Sequence, residues 1–561
     1  MTRTAEDCDP APDVGNRRRH ATGQRRPVAP LGRNVVTLSP PPLRGACPIR
    51  RSASFASCAR PLLAAAGLLS AFAAPGAQPA PGRPTDRIAL VGGTVLPATG
   101  GPPIADATVL IEGRRILAVG PRGTTTIPRG TSVVDVSGKF ITPGLIDANV
   151  HLVLMITPEF YVKYEERLTD IAVQSAQVAL KYGLTTVMDS WGPRDALLAA
   201  RDRIARGEVV GSRVLVAGNI VGLGGPFSAY FMGTYDLRGT DLRYGGWVHP
   251  MIQSRINALW EAGAGPELLA MTPSEAGERI RDYLARGPDF LKVAVSAHGI
   301  GPVEPLMFST DALVAMRRAA AAAGKPFQTH TFSLESLREA VAVHPQLLQH
   351  PNVMNVLPHT PSQLRTLDSL LLEIRRLGIY SAPLMIPLDA QQAVYERWNS
   401  DDRQRDPFLG AVIHSRQLGM TRAAFAARRA SVQRWIQSGV KFVIGTDQGP
   451  EAAELGPVVW GRMGRRHFEV MEGLQEAGMA PNEILIAATR HGAEAYGLAD
   501  SLGTVQSGKL ADLLVLDADP TADIRHLQRI HTLFKSGQRV DRSALPTVRV
   551  LQYDPEARWP K

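Results

Sequence analysis

Cysteine is almost missing from this chain. The three present in 561 residues, Cys8, Cys47 and Cys58, all lie near its start. The remaining chain therefore has no disulfide framework, no thiolate metal site and no cysteine nucleophile. Long apolar runs are lacking too. The Leu62–Ala74 stretch holds thirteen residues, whereas a membrane helix needs ~20. No glycine-rich phosphate fingerprint follows the early strands, which weakens the case for an open doubly wound nucleotide-binding sheet. Aromatic residues make up only 6%, and no basic run is interleaved with them. The net charge of +10 is misleading, because residues 1–60 carry eleven arginines against four acidic residues. Little excess charge is left for the folded part, so no nucleic-acid partner and no stable membrane span are expected.

Residues 1–86 are Pro-rich and lack hydrophobic periodicity, which predicts a disordered tail. Within it, Arg50-Arg51, the short apolar run from Leu62 and a small-residue exit near Ala77 make a signal-like segment. If that segment is used, the protein is exported to a periplasm or secreted; otherwise it is cytoplasmic.

The whole chain is 44% apolar and 20% charged, enough for a large core. Short β-branched runs punctuated by Gly, Pro and Asp fill residues 87–142, with a hairpin signal at Glu112-Gly113-Arg114. Residues 499–545 have the same character, and 546–561 form a C-terminal tail. Between them, over 143–498, strand, loop and helix alternate. Candidate strands run from Lys139 to His151 and at Thr185–Asp189, Arg213–Ala217, Phe290–Val295, Pro326–His330, Leu347–His350, Ile379–Pro383 and Lys441–Asp447. Helices are expected from Thr169 to Tyr182, closed by Gly183, and from Asp311 to Ala323, capped by Ser309 or Thr310 and stopped by Gly324. Eight such units predict an α/β chain. Its expected form is a (β/α)8 TIM-type barrel with a small composite β-sandwich domain built from both chain ends.

The strand ends carry the chemistry. In Asp147-Ala148-Asn149-Val150-His151 the period of two puts three polar side chains on one face. Lys292 lies within one apolar strand. Other strands end in His330, His350 and Asp447. Each alone has an ordinary explanation: a hydrogen-bonded core histidine, a snorkelling lysine, an aspartate capping the next helix. Five barrel strands ending this way point to a metal site, since imidazole and carboxylate groups bind divalent ions. The loop from about Asn219 to Asp289 contains Tyr230 and His249, and His298 follows the Lys292 strand. These three are candidate pocket residues. His414, His467 and His491 fall on helical stretches and are expected to be structural or surface residues.

The ordered motifs from Gly138-Lys139 through Lys292, Gln328-Thr329-His330, Gln349-His350 and Gly445-Thr446-Asp447 to Ala511-Asp512-Leu513 resemble the amidohydrolase superfamily of metal-dependent hydrolases, in its imidazolonepropionase- and prolidase-like part. The resemblance implies that Asn149, His151, Lys292, His330, His350 and Asp447 hold one or two divalent ions. Zinc is expected, with manganese, iron or cobalt as alternatives. It implies that Lys292 is carboxylated and bridges two metals, and that Asp447 acts as the base. The implied reaction is hydrolysis of a C–N bond other than a peptide bond, in an amide, urea or carbamate, by metal-activated hydroxide. Where the superfamily usually has His-x-His, this chain has Asn149-Val150-His151, a variant resembling phenylurea hydrolases. The alternatives are an Xaa-Pro-type or other dipeptidase of the same superfamily, and a non-catalytic barrel with a degraded metal site. The expected partner is a small-molecule substrate, with the chain as a homo-oligomer.

Overall fold

Gly144 divides what reads in the sequence as one bent strand. In the computed structural model, which describes residues 87–154, 158–232, 250–298, 306–351, 360–384, 387, 422–450 and 463–553, strand β5 (Phe140–Pro143) ends before Gly144 and β6 (Leu145–Val150) starts after it. The two strands belong to different sheets. A side chain at position 144 would collide with Thr185, so glycine is what permits the close crossing. The signal-like segment, His249 and His414 lie outside the described residues.

On one side of this junction, both chain ends contribute to a single eight-stranded sheet. Its N-terminal members are β1 (Arg87–Val95), β2 (Ile104–Glu112), β3 (Arg115–Pro121) and β4 (Ser132–Asp135), with β5. On the other side of the sheet order come β13 (Leu513–Leu516), β14 (Ile530–Lys535) and β15 (Gln538–Arg539), through antiparallel pairing of β13 with β5. Gly113, in the left-handed region, turns β2 into β3 where the hairpin signal falls. Leu90, Val109, Ile111 and Ile141 from one end pack with Leu513, Val515 and Phe534 from the other.

On the far side, β6, β7 (Leu184–Asp189) and β8 (Arg213–Val216) form one parallel sheet. The strands β9 (Leu291–Ala294), β10 (Phe327–His330), β11 (Leu347–Gln349) and β12 (Tyr380–Ala382) form another. Parallel bridges continue the order between them, pairing Val221 with Val293, Ser381 with Phe442 and Val150 with Gln448. Most of these strands are buried on both faces, as parallel strands covered by helices must be. One apolar cluster takes Ile146, Ala148, Met188, Leu347 and Ala382 from the parallel strands, with Ala217, Phe290 and Val443 beside them, and includes Tyr496. The expected strand Lys441–Asp447 holds a single bridge, at Phe442, and the next lies just beyond it at Gln448.

The helices follow local rules. Leu168–Lys181 stops at Tyr182 and Gly183, and Thr310–Ala322 starts at Ser309, whose hydroxyl accepts from the Ala312 amide. The helix Pro361–Leu377 has a Thr360/Gln363 capping box and ends on left-handed Gly378. Residues 547–551 lie along the helix Leu168–Lys181, where the side-chain amides of Gln174 and Gln177 bond their backbone. No described helix is long and apolar enough to cross a membrane.

Asp512 ties the two sheet regions together. It accepts from Arg213 of β8 at 2.8 Å and from Lys535 of β14 at 2.9 Å, while its backbone carbonyl accepts from Gly144. Burial alone would raise its carboxyl, but Lys535, Arg213 and the Ser536 amide hold it at about 2. A carboxyl lowered by folding stabilises the fold above its ordinary pKa of ~3.9, and that contribution is lost as pH falls toward 2. Asp512→Asn leaves two cations facing each other in a buried site and is expected to cost about 3–5 kcal/mol. Chemical denaturation at pH 7 checks this, and a loss under about 1 kcal/mol would contradict the clamp.

Candidate active site

The strand ends that the sequence singles out do converge. Asn149 is the penultimate residue of β6 and His151 follows that strand, Lys292 is the second residue of β9, His330 ends β10, and His350 follows β11. Asp447 comes in beside β6 because its backbone amide, like that of Thr446, donates to the Asn149 carbonyl. Both His350 and Asp447 have positive φ, 36° and 57°. Non-glycine residues rarely adopt that region, at a cost of ~1–3 kcal/mol each, and such strain clusters at functional sites.

Asp447 is the hub. Its Oδ1 lies 2.8 Å from His151 Nε2 and accepts from Asn149 Nδ2 at 3.0 Å. His350 Nε2 stands 3.9 Å from the same oxygen. The Asp447 side chain is 25% exposed, whereas the other five site residues are buried. Burial pushes its carboxyl up, but the bond and charge of His151, with His350 and Lys292, override this and hold it well below the usual range.

Lys292 is fully buried, with Nζ 3.1 Å from Ser190 Oγ and 3.4 Å from Asn149 Oδ1. Burial lowers its amine to about 8, against the pull of Asp447 and Asp189. Burial also lowers His350 to about 3 and, with the neighbouring His350, Lys292 and His298, pushes His330 well below its ordinary value. Both histidines are thus neutral imidazoles with lone pairs available.

The buried nitrogens Nδ1 and Nε2 of His330 and Nδ1 of His350 have no hydrogen-bond partner, which is costly unless something else satisfies them. His151 adds a second indication. Its Nδ1 faces the Trp191 carbonyl at 3.2 Å and its Nε2 faces a carboxylate. Neutral imidazole has one N–H for two acceptors, and a cation on the Asp447 side would complete the arrangement. Among the described residues no three His, Cys, Asp or Glu side chains form a metal-holding cluster by themselves. The side chains of Asn149 and Lys292 stand beside these groups. With them, neutral imidazoles, a carboxylate and orphaned buried nitrogens fit a divalent ion.

Asp147, which shares a strand face with Asn149 in the sequence, goes elsewhere. It accepts from Thr446 Oγ1 at 2.6 Å, from the Thr446 amide at 3.1 Å and from Gln448 Nε2 at 2.9 Å. It therefore braces the turn that presents Asp447. Burial raises its carboxyl to about 7 despite these bonds. A register shift between Asp147 and Val150 accounts for the difference, because it breaks the strict alternation. Asp189 at the end of β7 likewise accepts from the Leu152 amide at 2.6 Å and orders the loop after His151.

An aromatic wall flanks the group. His298 packs on Phe231 at 4.6 Å between ring centroids and on Phe332 at 4.7 Å, and stacks 5.8 Å from His330. Phe231 in turn meets Trp191 at 4.5 Å. Tyr230 is 36% exposed, and its carbonyl accepts from the His298 amide. The wall ring supplied by that segment is Phe231. Ser190, Trp191 and Phe332 escaped sequence reading, since each sits in a loop with no periodic pattern. His467 and His491 are structural, bonding the carbonyls of Tyr182 and Phe442.

A parallel-stranded α/β chain with its polar groups gathered at strand ends is the arrangement of the Amidohydrolase family, whose sequence profile matches residues 140–540, and the chain belongs to that family. Family and structural neighbours imply a TIM-barrel fold for it. Among solved structures it is similar to molinate hydrolase, at 31% identity and a TM-score of 0.71, covering 85% of this chain and 99% of that one. It is equally similar to phenylurea hydrolase B, at 32% identity and a TM-score of 0.71, covering 84% and 100%. A curated relative, the 5-methylthioadenosine/S-adenosylhomocysteine deaminase of Symbiobacterium thermophilum, is 29% identical over 163 residues, 26% of this chain. The match spans 36% of that relative's length.

Proposed function

We propose that this protein is a metal-dependent hydrolase that cleaves the C–N bond of a urea, carbamate or amide bearing an apolar or aromatic substituent. The observation carrying this reading is the convergence of Asn149, His151, Lys292 and Asp447 beside the unpartnered ring nitrogens of His330 and His350. It is supported by similarity to phenylurea hydrolase B and molinate hydrolase over their whole lengths. The bridges from β6 round to Gln448 are read as closure of an eight-stranded barrel, with the site at the C-terminal strand ends.

The six residues Asn149, His151, Lys292 in carboxylated form, His330, His350 and Asp447 would hold the ion or ions. Bound there, a divalent metal supplies a water acidified toward neutral pH and polarisation of the scissile carbonyl. Asp447, the exposed member, accepts the attacking water's proton through its carboxylate and returns it to the leaving nitrogen. Asn149 and His151 aim that carboxylate from one side, while Asp147 fixes its turn through Thr446. The rings of Phe231, His298 and Phe332 bind the substituent and exclude water, each good ring pairing being worth ~0.5–1.5 kcal/mol. Such a wall suits an aryl group better than the charged ends of a dipeptide.

A side-by-side measurement of kcat/KM on aryl ureas, aryl carbamates, anilides and dipeptides tests the assignment. An aryl urea or carbamate is expected to exceed any dipeptide by about tenfold or more, the equivalent of ~1.4 kcal/mol of ring contact. Preference for a dipeptide would overturn the substrate class.

A further inference from the structure

Ser190 is fully buried directly after β7, and its hydroxyl stands between two of the proposed metal-holding side chains. It hydrogen-bonds Asn149 Oδ1 and lies 3.1 Å from Lys292 Nζ. The direction of these bonds follows from chemistry. As an ammonium or as the N–H of a carboxylated lysine, Nζ only donates here, so the Ser190 oxygen accepts from Nζ and its single proton goes to Asn149 Oδ1. The other end of the amide then presents N–H to Asp447 Oδ1, at 3.0 Å. An amide's two ends are nearly equal in shape, and only their partners decide which way it faces. Without the Ser190 proton, the remaining contact on Oδ1 is Lys292 at 3.4 Å.

We propose that Ser190 is a positioning residue for the metal site, its hydroxyl fixing the amide orientation of Asn149. The inference rests on the metal-site reading above. It assigns to the end of β7 a role distinct from that of Asp189, which orders the His151 loop through Leu152. Groups that orient metal ligands typically matter 10–100-fold for metal affinity.

The test is retention of zinc under chelator challenge, read as bound zinc per chain over time on the folded fraction from gel filtration. Ser190→Ala and Ser190→Gly are each expected to shorten the half-life of bound zinc by about 10–100-fold. Adding either to Asn149→Ala should change that variant less than twofold, because the two residues act through one contact. Ser212→Ala is the control. It also deletes a fully buried hydroxyl, but one bonded to the Ala176 and Leu184 carbonyls, and it should leave retention unchanged. Retention within threefold of wild type in both Ser190 variants, or full additivity with Asn149→Ala, would overturn the positioning role. A wild-type chain that takes up none of zinc, manganese, iron or cobalt would overturn the metal-site reading itself, and this inference with it.

Discussion

Asp447→Asn is expected to lower kcat on the best substrate by about 10²–10⁴-fold, the range for loss of a positioned proton acceptor. The exchange keeps the shape of the side chain and removes its capacity to take a proton. The fold should change little, and metal content is measured alongside because Asp447 is also one of the proposed ion-holding residues. The turn is held by Asp147 through Thr446 and by backbone bonds from Thr446 and Asp447 to the Asn149 carbonyl, none of which involves the Asp447 side chain. Thermal melting within a few degrees of wild type, alongside the fall in kcat, would separate a chemical role from a structural one. A variant retaining a tenth or more of wild-type kcat would remove Asp447 from the mechanism.

The second large effect concerns Lys292. Lys292→Met retains most of the apolar stem and deletes the amine, so the core around β9 stays filled. Lys292→Ala deletes both. A loss shared by the two variants belongs to the amine, and one confined to alanine belongs to packing. Both are expected to lose about 10³-fold or more in hydrolysis, since metal assistance supplies several kcal/mol and ~1.4 kcal/mol is tenfold in rate. The amine is well suited to modification. It is wholly buried, burial lowers it to about 8, and its direct contacts are Ser190 and Asn149.

The positions of these groups were readable because strand ends in an alternating α/β chain are marked by sequence. A short apolar run stopping at His330 or His350 leaves its last polar residue at the strand end whatever lies around it. The helix limits at Gly183 and Gly324 were legible for the same local reason. Partnerships across the chain were not. Nothing local marks Asp512 as the partner of Arg213, 299 residues away, or Ser190 as the neighbour of Lys292, 102 residues away. Asp147 shows where local rules mislead. Alternation assigns it the face of Asn149, but a register shift sends it to the Thr446 turn. The segment Lys441–Asp447 reads as a strand by its apolar residues, yet it holds one isolated bridge, at Phe442, and ends on left-handed Asp447.

The central claim is that a divalent ion held by this side-chain group makes the chain a C–N hydrolase. Metal content and aryl-urea hydrolysis, measured on the same samples of wild type and Lys292→Met before and after chelator dialysis, test it most directly. The account predicts one or two ions per wild-type chain, activity that disappears with the ion and returns when zinc, manganese, iron or cobalt is restored, and a Lys292→Met chain that is folded but low in both. Undiminished hydrolysis by a metal-free wild-type chain would contradict it.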